Sequence, residues 1–213
     1  MKRQLSLLAA ASTLAITGVA TPAQATPPEL PPHSLRLEHV TFADACHPND
    51  TSIALSDDGT GMMITTDSFT VEAGRIKPTD GPASWQPGQT KHCRMTGVLK
   101  HPSGWRLTAR GWGFHGFASL AEGARGSATS QVTFGKSTLG PLRWAKSGAF
   151  MDTFDARTSD DLTAVSECGD GTPFTVTERI RVSAGSDSTE TSYLALDTSD
   201  GRNNTLSLSW ERC

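Results

Sequence analysis

The chain has 213 residues, of which 19 are Lys or Arg and 22 are Asp or Glu, giving a formal net charge of −3. This mildly acidic balance argues against binding to nucleic acid or to an anionic membrane through bulk charge. The length predicts one domain that buries roughly 70% of its unfolded surface, and no apolar run downstream of the N-terminal segment approaches the roughly 20 residues of a membrane-spanning helix.

The N-terminal segment has the pattern of an export signal. Lys2 and Arg3 precede the apolar run from Leu5 to Ala20, and Ala23-Gln24-Ala25 forms a small-x-small cleavage site. We predict a signal peptide over residues 1–25 and a secreted protein. Its formal net charge would be −5, because the removed segment carries two cations and no acid. An uncleaved membrane anchor is the alternative, and the short run disfavours it.

A proline-rich stretch, TPPELPPHS, follows over residues 26–34 and predicts an extended N-terminal tether. The secreted domain is expected over residues 35–213. Within it, apolar residues recur mainly at every second position, which is typical of β-strands. The alternation is clearest at Phe174, Val176, Ile180 and Val182, with Thr175, Thr177, Arg179 and Arg181 between them on the other face.

Turn-forming clusters such as SDDGTG and TSDGRNN separate the candidate strands, and no window of a dozen residues keeps a helical period. Two stretches rich in Gly and Pro, residues 76–91 and 135–148, are predicted as longer loops. About ten strands in one domain predict an all-β fold. We expect an antiparallel two-sheet β-sandwich, similar to a jelly roll, with its strand order left open.

Four cysteines, Cys46, Cys93, Cys168 and Cys213, lie in the predicted secreted part, and an even count in an exported chain predicts two disulfides. Three pairings are open. Pairing Cys46 with Cys93 and Cys168 with Cys213 would close two loops of similar size, each contributing about 4 kcal/mol in the chain-entropy model. A zinc site is the competing use, and the lack of any C-x-x-C pair disfavours it.

The stretch RGWGFHG contains Gly111, Gly113 and Gly116 in the G-x-G-x-x-G spacing of a dinucleotide-binding loop. Such a loop needs a helix after it and an acidic residue about 20 positions later. Neither is present, and bulky aromatic residues crowd the glycines. We therefore expect no nucleotide cofactor, and we interpret the glycines as positions where a strand bends or another backbone comes close.

Aromatic residues supply the candidate ligand contacts. An amphipathic ring suits a surface on which a sugar could stack, although strand aromatics in a small sandwich usually face inward. Tryptophans in polar loops have fewer strand neighbours to bury them. The candidates are Trp85, Trp105, Trp112, His115 and Trp144.

Signatures of catalysis or metal binding are weak. None of the six histidines is spaced for a metal, and there is no G-x-S-x-G nucleophile motif. Two carboxylate pairs, Asp152 with Asp155 and Glu167 with Asp170, could serve glycoside cleavage if they faced each other across a cleft. Acidic turns at Asp57-Asp58, Asp160-Asp161 and 197–200 could bind calcium but are typical of ordinary turns. Asn49 and Asn203 begin glycosylation sequons.

Several segments resemble a secreted family of unknown function, numbered 4360 among such families. They are ACHPND around Cys46, KHCRMTGVLKHPSGWRLTARGWGFHGFASLAEG from Lys91, SECGDG around Cys168, and the terminal LSLSWERC. The resemblance implies an exported β-rich domain with the four cysteines as its framework. It departs at Ala45-Cys46-His47-Pro48, where family members usually have Gly-Cys-Pro. It implies no catalytic residues.

The sequence thus favours a non-catalytic extracellular binding module, with a carbohydrate or a cell-wall component as its partner. Two alternatives stay open. One is a secreted hydrolase that uses carboxylates, and the other is a structural or inhibitory protein that acts through a flat apolar surface. A sandwich fold does not decide among these, because such folds host unrelated functions.

Overall fold

The computed structural model describes residues 34–159, 161–186, 189–196 and 204–213. The predicted signal peptide and tether residues 26–33 lie outside these ranges. In the described residues the chain forms thirteen β-strands and no helix. The strands are β1 Arg36–Asp44, β2 Thr51–Leu55, β3 Gly61–Thr66, β4 Thr70–Ile76, β5 Ser84–Gln86, β6 Gly88–Leu120, β7 Arg125–Phe134, β8 Ser137–Ser147, β9 Phe150–Arg157, β10 Thr163–Val165, β11 Gly169–Ser183, β12 Thr191–Ala195 and β13 Asn204–Arg212.

Strand pairing is antiparallel throughout the described part of the chain. Hydrogen bonds connect these strands into one sheet along the path β2-β3-β13-β6-β11-β7-β8, with the remaining strands attached beside it. The predicted all-β, antiparallel, disulfide-linked fold is confirmed. It contains more strands than the ten or so expected, because several are only three to five residues long.

Strand β6 is 33 residues long. Its first and second parts pair mainly with different strands, and we call these two groups of strands the halves of the sheet. Its first part, residues 88–100, lies between β1 and β11. Its second part pairs with β13 and β12 along one edge and with β10 and β9 along the other. The chain therefore passes from one half of the sheet to the other within a single strand.

Side-chain hydrogen bonds add to the main-chain pairing between the two halves. Asn204 of β13 donates to Glu178 of β11, and Trp112 of β6 donates to Ser130 of β7. Around these contacts, the inward-facing apolar side chains of both halves form one core. The face predicted for β11 is confirmed, since Phe174, Val176, Ile180 and Val182 are all buried.

The two predicted loops contain strands. Residues 84–86 form β5, and β6 begins at Gly88, so only part of the 76–91 stretch is a loop. The 135–148 stretch is mostly β8, which pairs with β7 after a tight turn. Its alternation is hard to recognise because the register shifts near Gly140, whose φ is 100°. An apolar-polar pattern that changes phase in the middle of a strand does not stand out in the sequence.

Both disulfides have the preferred pairing. Cys46, just after β1, is bonded to Cys93 in β6, and Cys168 is bonded to Cys213 beyond the end of β13. The first pair is buried and the second lies at the surface. No cysteine in the described residues is free, so each bond fixes one strand of the sheet to a neighbouring segment.

The glycines of RGWGFHG lie inside β6 and serve packing. Gly111 has a φ of 61°, a backbone conformation that residues with a side chain rarely adopt. A Cβ at Gly116 would lie 2.4 Å from the main-chain oxygen of Ala195 and 2.5 Å from Phe154 Cζ. At this position β12 and the Phe154 ring both pack directly against the main chain of β6, which leaves no room for a side chain.

We expect Gly116→Ala to destabilise the fold by about 3 kcal/mol, because the β12 main chain must move to admit a methyl group. Urea unfolding followed by tryptophan fluorescence measures this. Gly169→Ala is the matched control, since nothing lies within 4 Å of its Cβ position, and it should change stability by less than about 0.5 kcal/mol. Equal effects of the two substitutions would contradict the close-contact explanation.

Candidate functional site

The five candidate ligand contacts are placed in very different surroundings. Trp85 in β5 is 49% exposed and lies opposite Arg75 of β4. Trp105 and Trp144 are half-buried. Trp112 is fully buried and His115 is 6% exposed. The structure does not gather these side chains into one platform, and the last two cannot meet an external ligand.

Trp112 and His115 belong instead to an interior polar network. The Trp112 indole N–H donates to Ser130 Oγ at 3.1 Å, and Ser130 in turn donates to Glu178 Oε1. Asn204 donates to the same carboxylate oxygen at 2.9 Å and accepts the main-chain N–H of His115 at 3.0 Å. The network therefore connects β6, β7, β11 and β13 inside the core, and its role is to hold the fold.

Glu178 is the charged group of this network, and it is completely buried. Loss of hydration raises the pKa of its carboxyl group to about 7, against the opposing effect of hydrogen bonds from Ser130 and Asn204. Its second oxygen, Oε2, has no hydrogen-bond partner in the described residues. The sequence itself indicates that Glu178 is unusual, because residue 178 lies on the inward face between Val176 and Ile180, where a carboxylate is unexpected.

Trp105 lies in a small aromatic cluster that the sequence analysis did not assemble. Its ring meets Trp210 edge to face at a centroid distance of 6.1 Å, and Trp210 meets His101 in the same manner. The Arg212 guanidinium lies 5.4 Å from the Trp105 ring centroid. Trp210 also donates to the main-chain oxygen of Gly59. The side chains of this cluster therefore contact mainly one another.

Trp144 lies beside a groove on the protein surface. Its ring is stacked on Phe154 at 3.9 Å, so one face is covered. It also contributes to the lining of a groove of about 240 Å³, beside a second groove of about 440 Å³. The two share Ser127, Ala145 and Arg181 and so form one continuous depression, which we call the β7 groove.

The β7 groove is built by strand register. β7 lies between β8 and β11, and Thr129 is opposite both Arg143 and Arg179. Two residues further along the sheet, Ser127 is opposite Ala145 and Arg181. Since side chains alternate across a strand, these residues share the outer face. The short Ser, Thr and Ala side chains form the floor, and the longer arginines rise on either side.

The groove can donate hydrogen bonds but has no catalytic pair. Its described lining consists of arginine, lysine, serine, threonine, glycine, alanine and Trp144, without a carboxylate, a histidine or a cysteine. A serine hydroxyl needs an adjacent base to become a nucleophile, and none lines this groove. The arrangement is suited to binding.

Neither predicted carboxylate pair faces across a cleft. Glu167 forms an ion pair with Lys136, and Asp170 lies 3.5 Å from Lys100. Asp152 and Asp155 are exposed on β9, and their three-residue spacing directs them to opposite faces of the strand. The two acids of each pair therefore do not share one site.

The acidic turns contain no metal cluster among the residues that the structure describes. At Asp58, hydrogen bonds from Ser56 and Thr60 lower the pKa of the carboxyl group to about 2, as expected for a side chain that closes a turn. Asn49 is exposed in another turn. Asp160, residues 197–200 and Asn203 lie outside the described ranges.

Together these features define an all-β, disulfide-linked domain with a polar groove on its outer face. The chain belongs to the family described as Domain of unknown function (DUF4360), whose model matches residues 34–213. The resemblance seen in the sequence is thereby confirmed. In the described residues no helix is long and apolar enough to cross a membrane.

Among solved structures, the chain is similar to TmCBM61 in complex with β-1,4-galactotriose. The identity is 6% and the TM-score is 0.28, over 82% of this chain and 89% of that one. A likeness at this level says nothing about the ligand of this chain. No curated protein matches the sequence.

The raised pKa of Glu178 predicts a pH-dependent stability. Because the folded-state pKa of about 7 lies above the ordinary glutamate pKa of 4.5, the contribution of Glu178 to the free energy of unfolding is fully present below pH 4.5 and is lost as the pH rises through 7. The loss from this group is about 3 kcal/mol. Glu178→Gln should flatten the decline between these pH values, measured as the free energy of unfolding in urea.

Glu122→Gln, at an exposed position, is the control and should leave the pH profile as it is. A Glu178→Gln profile parallel to that of the unchanged protein would contradict the assignment of this decline to Glu178.

Proposed function

We propose that this protein is exported and acts as a non-catalytic binding module, which holds a carbohydrate or another cell-wall polymer in the β7 groove. Export is supported by the N-terminal pattern of residues 1–25 and by the two disulfides, which form and persist in oxidising compartments. The protein would then work outside the cell without a cofactor.

The continuity of the β7 groove carries this proposal. Small molecules are usually held in enclosed, largely apolar pockets, whereas this depression is partly open, is lined chiefly by Arg, Lys, Ser and Thr, and continues over two adjoining parts. Such a shape suits an extended chain with many hydroxyl groups. Its side chains stand on three paired strands, so the backbone that carries them is ordered before a ligand arrives, which lowers the entropy cost of binding.

Trp85 and Trp105 are proposed as contacts outside the groove. Trp85 is the better of the two, because nearly half of its surface is exposed and its neighbours leave a ring available for stacking on a sugar. Trp144 supports the groove from below through its stack on Phe154. Trp112 and His115 drop out of the proposal, since both are buried.

A carboxylate-dependent hydrolase remains a second candidate on one observation. Glu122 and Glu190 both contribute to the lining of a pocket of about 610 Å³ near the end of β6. Two acids at one pocket are the minimum that glycoside cleavage requires. Release of reducing sugar ends from a bound polymer, abolished by Glu122→Gln, would favour this candidate over the binding module.

We expect the purified protein to be retained on immobilised polysaccharide, and Ala145→Trp to weaken retention about tenfold or more, because the indole would fill the groove. Ala145 is exposed and lies in both parts of the groove, so the change removes no core packing. Pull-down and isothermal titration with a panel of cell-wall polysaccharides measure the effect.

Ala54→Trp, at an exposed position of β2 outside the groove, is the matched control and should bind normally. Trp85→Ala tests the separate contact. If Ala145→Trp binds as well as the control while Trp85→Ala does not, the ligand lies at Trp85 and the groove assignment is wrong.

A further inference from the structure

The outer face around the β7 groove carries an unusual concentration of arginine. We define the arginine face by Arg94 of β6, Arg125 of β7, Arg143 of β8, and Arg179 and Arg181 of β11. Register places these residues in consecutive cross-strand rows. Arg181 is opposite Thr90 and Ser127, Arg179 is opposite His92 and Thr129, and Thr177 is opposite Arg94 and Gln131.

No acid stands among these arginines on β6, β7, β8 and β11. The outward positions from Ser183 to Thr175 on β11, and those opposite them on β6, β7 and β8, hold arginine, histidine and small or amide-bearing residues, without Asp or Glu. The described ion pairs are made by other cations, Lys100, Arg106 and Lys136. Five guanidinium groups therefore share one side of a chain whose formal net charge is −3.

Arg179 and Arg181 are two positions apart on one face of β11, with Thr, His and Ser rather than an acid opposite them, so their charges are available to an anionic ligand. From this geometry we infer that the β7 groove and the arginine face bind an anionic polysaccharide, one with carboxylate or sulfate groups repeated along its chain. The inference rests on the proposed function and names its ligand class. Arginine suits this role because its planar fork pairs with two oxygens of such a group.

Spacing supports a polymer rather than a single anion. Neighbouring strands lie about 4.8 Å apart and alternate residues on a strand about 6.8 Å apart. Arg143 and Arg179 flank Thr129 at roughly twice the strand spacing, and Arg181 follows one row along. Repeated acid groups on an extended chain could meet these guanidinium groups in turn, with the floor hydroxyls between them.

A nucleic acid fits this face less well. Single strands bind sheets chiefly by stacking bases on aromatic rings, and the outward positions of these four strands hold no Phe, Tyr or Trp. Trp144 also lines the groove, but it takes an inward position on β8, opposite the buried Ala128, and Phe154 covers one face of its ring. A flat sheet also presents no helix that could enter a major groove.

The test compares polymers that differ in charge alone. Polygalacturonate and its fully methyl-esterified form share one backbone, and dextran sulfate and dextran share another. We expect the purified protein to bind the charged member of each pair about tenfold or more tightly than the neutral one, with affinity falling as salt rises. Isothermal titration at two salt concentrations measures this.

The variant Arg179→Gln/Arg181→Gln should lose most of this affinity, while Arg179→Lys/Arg181→Lys should keep only part of it, because lysine retains the charge without the fork. Arg110→Gln/Arg157→Gln is the matched control. It removes the same charge from exposed positions outside the arginine face and should bind normally. Thermal unfolding of each variant separates loss of binding from loss of fold.

The outcomes distinguish the inference from the function beneath it. Equal binding of charged and neutral polymers would overturn the anionic ligand class but not the proposed binding function. No binding to any polysaccharide would overturn both the ligand class and the binding function. Binding to a single-stranded oligonucleotide or to phosphatidylglycerol vesicles, with the same arginine dependence and without polysaccharide binding, overturns the inference and identifies a different macromolecule.

Discussion

Main-chain hydrogen bonding along β6 is the constraint on which the rest of this structure depends. Six of the described strands, β1 and β9 to β13, take their pairing from it directly. A buried strand must satisfy its N–H and C=O groups with neighbours, so the position of each neighbour follows from the course of β6. Glycines at 111, 113 and 116 allow that course, because the strand turns and is closely approached there.

The two faces of β11 show how one strand serves structure and binding at once. Its inward residues pack the core and carry Glu178 into the polar network, while Arg179 and Arg181 on the outward side border the β7 groove. A rigid floor is useful to a binding surface, since donors that do not move lose little freedom when a ligand arrives. The interior network and the groove therefore lie on opposite faces of the same strand, β11.

The sequence predicts the strands with simple alternation and misses those with a change of phase. The inward apolar residues of β11 and the cystine framework were predictable, because period-two spacing and an even cysteine count both have direct physical causes. β8 was mistaken for a loop, since its register shifts near Gly140. Glu178 was visible as an acid among apolar neighbours, but its partners Ser130 and Asn204 are distant in sequence.

The candidate site was harder to predict for a similar reason. The expectation that strand aromatics face inward holds for Trp112, but the surroundings of Trp85 and Trp144 depend on neighbours from other strands, which the sequence does not identify. The net charge of −3 also gives no sign of the arginine face, which forms only when β6, β7, β8 and β11 come into register. Net charge describes the whole surface and carries no information about one side of it.

The free side of β8 has a consequence for how copies of this protein behave when crowded. β8 ends the pairing path and has only β7 as a hydrogen-bonded neighbour among the described strands. Exposed strand edges invite pairing between molecules. Pro141 has no amide hydrogen to offer, and Arg143 and Lys146 bring like charges together if two such edges meet. The same cations would thus discourage self-association and fibril growth where the protein accumulates on a surface.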